Sequence, residues 1–243
     1  SAVNNFVGIV MAVFLAVVLM RIESRAKQTL LPSGALRLRS RLAALYGLMS
    51  LLVVMITSGE VFVPLFLQVL HQQSPLAAGY LAALMAAGWT LGSLVGSGFS
   101  GRAVDRALMI GPALGWVGMI GLALRVPAAG SGTWLQMVPI CVALAVIGIG
   151  VGLAWPHLLT RVLTSAPPEE QERAGASITT IQLFATAAGA ALAGMVANAA
   201  GLIEPGGAEG TARAARWLFA TFALAPMLGM LLVKRCRFPA DVN

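Results

Sequence analysis

Charge is scarce in this sequence. Lys, Arg, Asp and Glu supply 10% of its 243 residues, whereas an average soluble domain is about a quarter charged. A water-soluble fold of this size must cover its surface with such groups, so soluble globular and disordered classes are excluded. Cysteine is nearly absent. The two present, Cys141 and Cys236, are too few for a secreted disulfide framework. One lies inside an apolar run and the other just after the last one, near opposite faces, so no bridge is expected between them. Histidine is limited to His71 and His157, and no metal-ligand spacing, catalytic triad or phosphate loop is present. Neither a cofactor nor an enzymatic activity is expected. The net charge of +7 does not point to nucleic acid, because the basic residues stand between apolar runs, where membrane topology needs them.

What is there is hydrophobic residue, 58% of the chain, gathered into uncharged runs at 1–20, 42–59, 61–101, 107–124, 126–160, 174–203 and 217–233. A helix crosses the hydrocarbon core with about 20 residues. A β-barrel would alternate apolar and polar residues, and Val10 to Leu19 do not alternate. The first run has no basic segment before it and is followed by further spans, so it is not a signal peptide. The fold class is all-α, a polytopic bundle whose solvent is the lipid bilayer. Helices are expected at 3–20, 42–70, 76–99, 108–125, 134–160, 174–200 and 214–234. Turn signals at Gln72-Gln73-Ser74-Pro75, at Pro127 to Gly132 and at Pro205-Gly206-Gly207 divide the longer runs. The organisation is a linker span at 1–20, a basic loop at 21–41, a six-helix bundle at 42–234 and a tail at 235–243.

Orientation follows from the basic residues. Thirteen of the sixteen Lys and Arg fall on one side, at 21–41, 102–106, 161–173 and 234–237, and only Arg125, Arg213 and Arg216 on the other. The positive-inside rule makes the first side cytoplasmic. Ser1 is then outside and Asn243 inside. An external start so close to the first span leads us to expect that further N-terminal sequence belongs to this protein.

Small residues recur at four-residue spacing: Gly88, Gly92 and Gly96; Gly111 and Gly115; Gly148 and Gly152; Ala185, Gly189 and Ala193. In lipid such stripes let helix backbones approach closely, so they specify a tight bundle rather than a site. The segment Ile56-Thr57-Ser58-Gly59-Glu60-Val61-Phe62-Val63-Pro64 is different. Glu60 is the one carboxylate deep inside a span. Such a group costs a few kcal/mol and usually faces a cavity or a partner. Thr57 shares its face. Pro64 lacks an N–H, so the Glu60 carbonyl loses its helical partner, and a broken helix is expected there, as at transporter ion sites. The other reading is a structural pair with a cation elsewhere. His157, after Pro156, could relay protons or pack under Arg161, and Gln182, with Thr179 and Thr180, could touch substrate or tie helices together.

Three stretches carry a resemblance to a known family. They are Pro64-Leu65-Phe66-Leu67-Gln68 followed by Ser74-Pro75-Leu76-Ala77-Ala78-Gly79; Gly101-Arg102-Ala103-Val104-Asp105-Arg106; and Gly148 to Pro156 followed by Ala174 to Gly189. In order and spacing the chain resembles the C-terminal half of a major facilitator superfamily transporter, closest to the fourteen-span drug:proton antiporter branch. Ala107-Leu108-Met109 and Phe184 depart from the family pattern. The resemblance implies one linker span plus a half-bundle of two three-helix repeats in a bacterial-type inner membrane. The first helix of each repeat lines a central cavity, and the second lies against a missing N-terminal half. It implies proton-coupled export of small amphiphilic molecules, with Glu60, Thr57, Gln68, Gln182 and His157 as candidate substrate and proton groups. Gly101, Arg102, Asp105 and Arg106 become a cytoplasmic gating loop, in which Asp105 can cap backbone N–H groups and Arg106 can exchange partners.

Two rival readings remain. A seven-span receptor or retinal protein would share the span count, but the last span has no lysine before Lys234, and no N-P-x-x-Y is present. A permease subunit paired with a separate ATPase is the other.

Overall fold

Ser40 opens the first long helix. Its hydroxyl donates to the Gly34 carbonyl (2.6 Å) and accepts from the Ala43 N–H (3.0 Å), which satisfies one of the orphan donors of a helix start. In this computed structural model, residues 39–236 are described, together with residues 18, 21, 22, 31, 32, 34, 35 and 37. The expected first span, at 3–20, lies outside the described residues apart from Val18, as do most of the 21–41 loop and residues 237–243 of the tail.

Helix α1 (Arg41–His71) runs for 31 residues, about 46 Å at 1.5 Å per residue. The break expected at Pro64 does not occur: the helix continues through it. Proline removes one hydrogen bond there, but Val63, Phe66 and Leu67 are fully buried on either side, and that packing holds the axis. The helix ends where Gln72 adopts φ 54° and its N–H returns to the Leu67 carbonyl, a left-handed C-cap. Ser74 then caps α2 (Pro75–Ala82), with proline in its first turn. An interruption at Ala83 leads into α3 (Leu84–Ser97). Next come α4 (Arg102–Arg125), α5 (Trp134–Ser165), a short 3-10 turn at Pro168–Glu170, α6 (Gln171–Ala199), α7 (Gly207–Phe222) and α8 (Leu224–Cys236).

The described residues therefore make six apolar spans, α2–α3 and α7–α8 each counting as one. Their edges differ from the expectation in a consistent way. Helix α4 begins at Arg102 rather than 108, α5 extends to Ser165, α6 begins at Gln171, and α7 begins at Gly207 rather than 214. The uncharged runs mark what the bilayer covers, whereas the helices continue one or two turns beyond it into charged residues. Cys141 and Cys236 are both free.

The two halves of the bundle, α1 to α4 and α5 to α8, interlock rather than sit side by side. Helix α3 packs along α5 and α6 packs along α1. The third spans cross over in the same sense, α4 onto α5 and α7–α8 onto α1. Lipid supplies no hydrophobic force between helices, so fit must do it. The glycine stripes supply the fit. A Cβ on Gly88 or Gly92 would strike the carbonyl oxygens of Ala145 or Ile149, and one on Gly148 or Gly152 those of Met85 or Trp89. Ser93 adds a hydrogen bond to the Gly152 carbonyl (3.3 Å), and Tyr46 pins α1 to α6 through the Ala174 carbonyl (3.0 Å). Burial is uneven as a result. The apolar stretch of α1 is 61% buried and that of α5 56%, but those of α2–α3 and α6 are each only 22% buried.

Candidate functional site

Helix α1 is buried on most of its circumference, and Glu60 is where it opens. Thr57, Ser58 and Gly59 are buried, and Glu60 and Val61 are exposed. By helical rise Glu60 stands about 28 Å from the Arg41 end and about 16 Å from the His71 end, well inside the span. It looks into a groove of about 250 Å³ between α1 and α3, lined by Ile56, Glu60, Met85, Ala86, Trp89 and Thr90. Trp89 forms the aromatic wall, and Trp155 of α5 packs behind it with ring centroids 5.3 Å apart. Glu60 has no ion-pair partner among the described residues. A lone carboxylate beside an indole face offers charge and π surface to a cation, or a place to load a proton.

Of the other groups expected to act with Glu60, none lines this groove. Thr57 is buried, and its hydroxyl donates to the Val53 carbonyl in its own helix (2.8 Å). It packs toward Gly189, where α6 approaches α1. Gln68 lies two turns beyond Glu60 on the same stripe, and its amide donates to the Pro64 carbonyl (3.0 Å). Gln182 is half-buried on α6, between the Ala174–Tyr46 and Gly189–Thr57 contacts. That places it nearer the arginine-rich end than Glu60. His157 stacks on Phe99, rings 6.3 Å apart and 5° from parallel. Phe99 is ten residues past Trp89, about 15 Å along the α3 direction, so His157 is remote from the groove. Its Nε2 is buried without a hydrogen-bond partner among the described residues.

The second cluster forms at the arginine-rich end. Arg102, Asp105 and Arg106 are not in a loop: they occupy the first turns of α4, after Gly101, which takes φ 52° at the N-cap. Nor does the Asp105 carboxylate cap backbone donors there. It accepts from Arg161 Nη2 at 2.6 Å. Arg161 lies on α5, one turn after His157, and is buried. Its Nη1 donates to the Cys236 carbonyl at the end of α8 (2.7 Å). One guanidinium thus ties the start of α4 to the ends of α5 and α8. Arg102 and Arg106 are exposed. From the sequence Arg161 counts as a topology charge and as a residue under which His157 could pack, not as a partner of Asp105. Its four-residue spacing from His157, at the edge of a long uncharged run, is the signal that marks it as buried.

Six bilayer-length helices around an embedded carboxylate, with charged ties gathered at one end, define a multi-pass membrane bundle with a polar groove. Among the described residues there is no group of His, Cys, Asp and Glu fit to hold a metal. The family model for the Major Facilitator Superfamily matches residues 2–190, and the chain belongs to that transporter superfamily. Two probable multidrug-efflux transporters of Mycobacterium tuberculosis, from strains CDC 1551 / Oshkosh and H37Rv, are each 35% identical to it over 175 residues. The matched segment covers 71% of this chain and 35% of each relative, so it spans about a third of the length of the curated relatives it matches.

Proposed function

We propose that this chain works as the C-terminal part of a proton-coupled exporter of small amphiphilic or drug-like molecules, moving them by alternating access. The observation that carries the reading is Glu60, an unpaired carboxylate inside a span, facing a groove with an indole wall. Coupling needs one group at which protonation and substrate compete. Glu60 loads a proton when the groove faces the outer medium. A cationic amphiphile then stabilises the ionised form and drives the proton off. The relatives' description as probable multidrug-efflux transporters supports this substrate class.

In this proposal the thinly buried α2–α3 and α6 lie against an N-terminal half, and the groove completes its second wall there. The arginine-rich end faces the cytoplasm, as the basic-residue count expects. The tie of Asp105 and Arg161 to the Cys236 carbonyl acts as the gate: it holds α4, α5 and α8 together in one state and exchanges partners as the halves rock. Arg102 and Arg106, exposed beside it, are the partners on offer. The test is proton-gradient-driven efflux of a lipophilic cation in proteoliposomes, using the full-length transporter. Wild type accumulates the cation uphill. Glu60→Gln loses uphill transport but keeps downhill exchange, and Glu60→Asp keeps part of it. Undiminished uphill transport by Glu60→Gln places the coupling group elsewhere.

A further inference from the structure

The connection between α6 and α7 carries a second cavity that the transport site does not use. An open groove of about 240 Å³ runs between the last turn of α6 and α7, lined by Val196, Ala199, Ala200 and Trp217. Apart from the indole N–H, these side chains are wholly apolar. Trp217 is 60% exposed, and indoles concentrate where hydrocarbon meets headgroups. Arg213 stands one turn before Trp217, on the same face of α7. Its guanidinium reaches back over the connection: a Cβ at Gly201 would lie 3.5 Å from Arg213 Nη2. Gly201 directly follows Ala200, so this cation stands beside the residue next to the groove's lining. Arg216, beside Trp217, is also exposed. Neither arginine forms an ion pair among the described residues.

The nearby carboxylates stand on the water side. Glu209 is one turn before Arg213, about 6 Å further from the membrane, and Glu204 is exposed on the connection itself. Moving inward along α7, the order is carboxylate, guanidinium, indole, apolar groove. A leaflet presents water, phosphate, interface and acyl chain in the same order. A guanidinium offers phosphate oxygens two parallel hydrogen bonds. One arginine satisfies the phosphate, and the second disfavours a headgroup that carries its own cation.

We infer that this groove binds one phospholipid with an anionic headgroup. Its acyl chain lies against Val196, Ala199, Ala200 and Trp217, and its phosphate is held by Arg213 with Arg216 beside it. The site lies outside the transport groove and does not depend on the export reading. The test places the full-length protein in nanodiscs of unlabelled phosphatidylcholine. These are doped with phosphatidylglycerol or phosphatidylcholine brominated on the acyl chain. The quenching of Trp217 is obtained as the difference between wild type and Trp217→Phe. We expect phosphatidylglycerol to quench at several-fold lower mole fraction than phosphatidylcholine. Arg213→Gln/Arg216→Gln should remove that preference while leaving quenching by phosphatidylcholine unchanged. Equal quenching by the two lipids in the wild type identifies ordinary annular contact and overturns the proposal. So does a preference that survives in the double variant.

Discussion

Glu60 and Asp105 are both acids on interior helices, and the structure treats them in opposite ways. Asp105 has a buried arginine at 2.6 Å, and that arginine is committed to a backbone carbonyl as well. Glu60 has an indole, the side chains of Ile56, Met85, Ala86 and Thr90, and an open groove, and no cation among the described residues. The energy of a paired acid lies in the tie it makes. An unpaired charged group in a span is costly unless something arrives to share it. In this structure Asp105 is engaged in a tie between helices and Glu60 is left open to a partner.

The largest effect expected from breaking this contrast is at Glu60 itself. Glu60→Gln keeps shape and hydrogen bonding but cannot ionise, so uphill flux should vanish, with expression and helical content near those of wild type. Putting the arginine of the other site beside it is the sharper version: Ala86→Arg should pair Glu60 and silence transport without unfolding the protein.

Next in size is Arg161→Gln. Removing one partner of a buried pair costs about 3–5 kcal/mol. The partially exposed Asp105 can recover some solvation, so about 2–3 kcal/mol is expected, read as a loss of thermal stability in detergent. Asp105→Asn should cost less stability but still cut transport. A cycle with both changes should show coupling of about 1–3 kcal/mol. Additive effects would dissolve the tie as a unit.

The wall of the Glu60 groove can be moved without touching its chemistry. A Cβ at Gly152 would meet the Trp89 carbonyl oxygen, whereas one at Gly194 meets nothing within 4 Å. Gly152→Ala should therefore destabilise by about 1–3 kcal/mol, as overpacking does, and shift the fluorescence of Trp89. Gly194→Ala should leave both unchanged or raise stability slightly. The smallest effect is expected at Thr57. Its hydroxyl serves its own helix, so Thr57→Val should alter flux and stability by less than about 0.5 kcal/mol. A large loss there would enlarge the site beyond Glu60.

Much of this was legible from residue types alone. The spans follow from uncharged runs, the tightness of the bundle from stripes such as Gly88, Gly92 and Gly96, and Glu60 from being the one embedded carboxylate. What was not legible has physical reasons. Helix ends were misjudged at Arg102 and Gly207 because charge excludes a residue from lipid, not from a helix. The interruption at Ala83 has no proline or glycine to announce it. Pro64 suggested a break because its local cost is visible in sequence, whereas the burial of Phe66 and Leu67 that outweighs it is not. The Asp105–Arg161 tie spans 56 positions, and only the fold brings it together. Trp89 was hidden by its setting, one residue after a glycine whose packing role was plain.

The most direct test of the contrast is proton release on substrate binding. The purified full-length transporter is mixed with a lipophilic cation in weakly buffered detergent solution containing a pH indicator. If Glu60 is where proton and substrate compete, wild type releases protons on binding. Asp105→Asn does the same, because Asp105 lies outside the Glu60 groove, and Glu60→Gln binds the cation more weakly and releases none. Undiminished release from Glu60→Gln would contradict the account and move the coupling group to another residue.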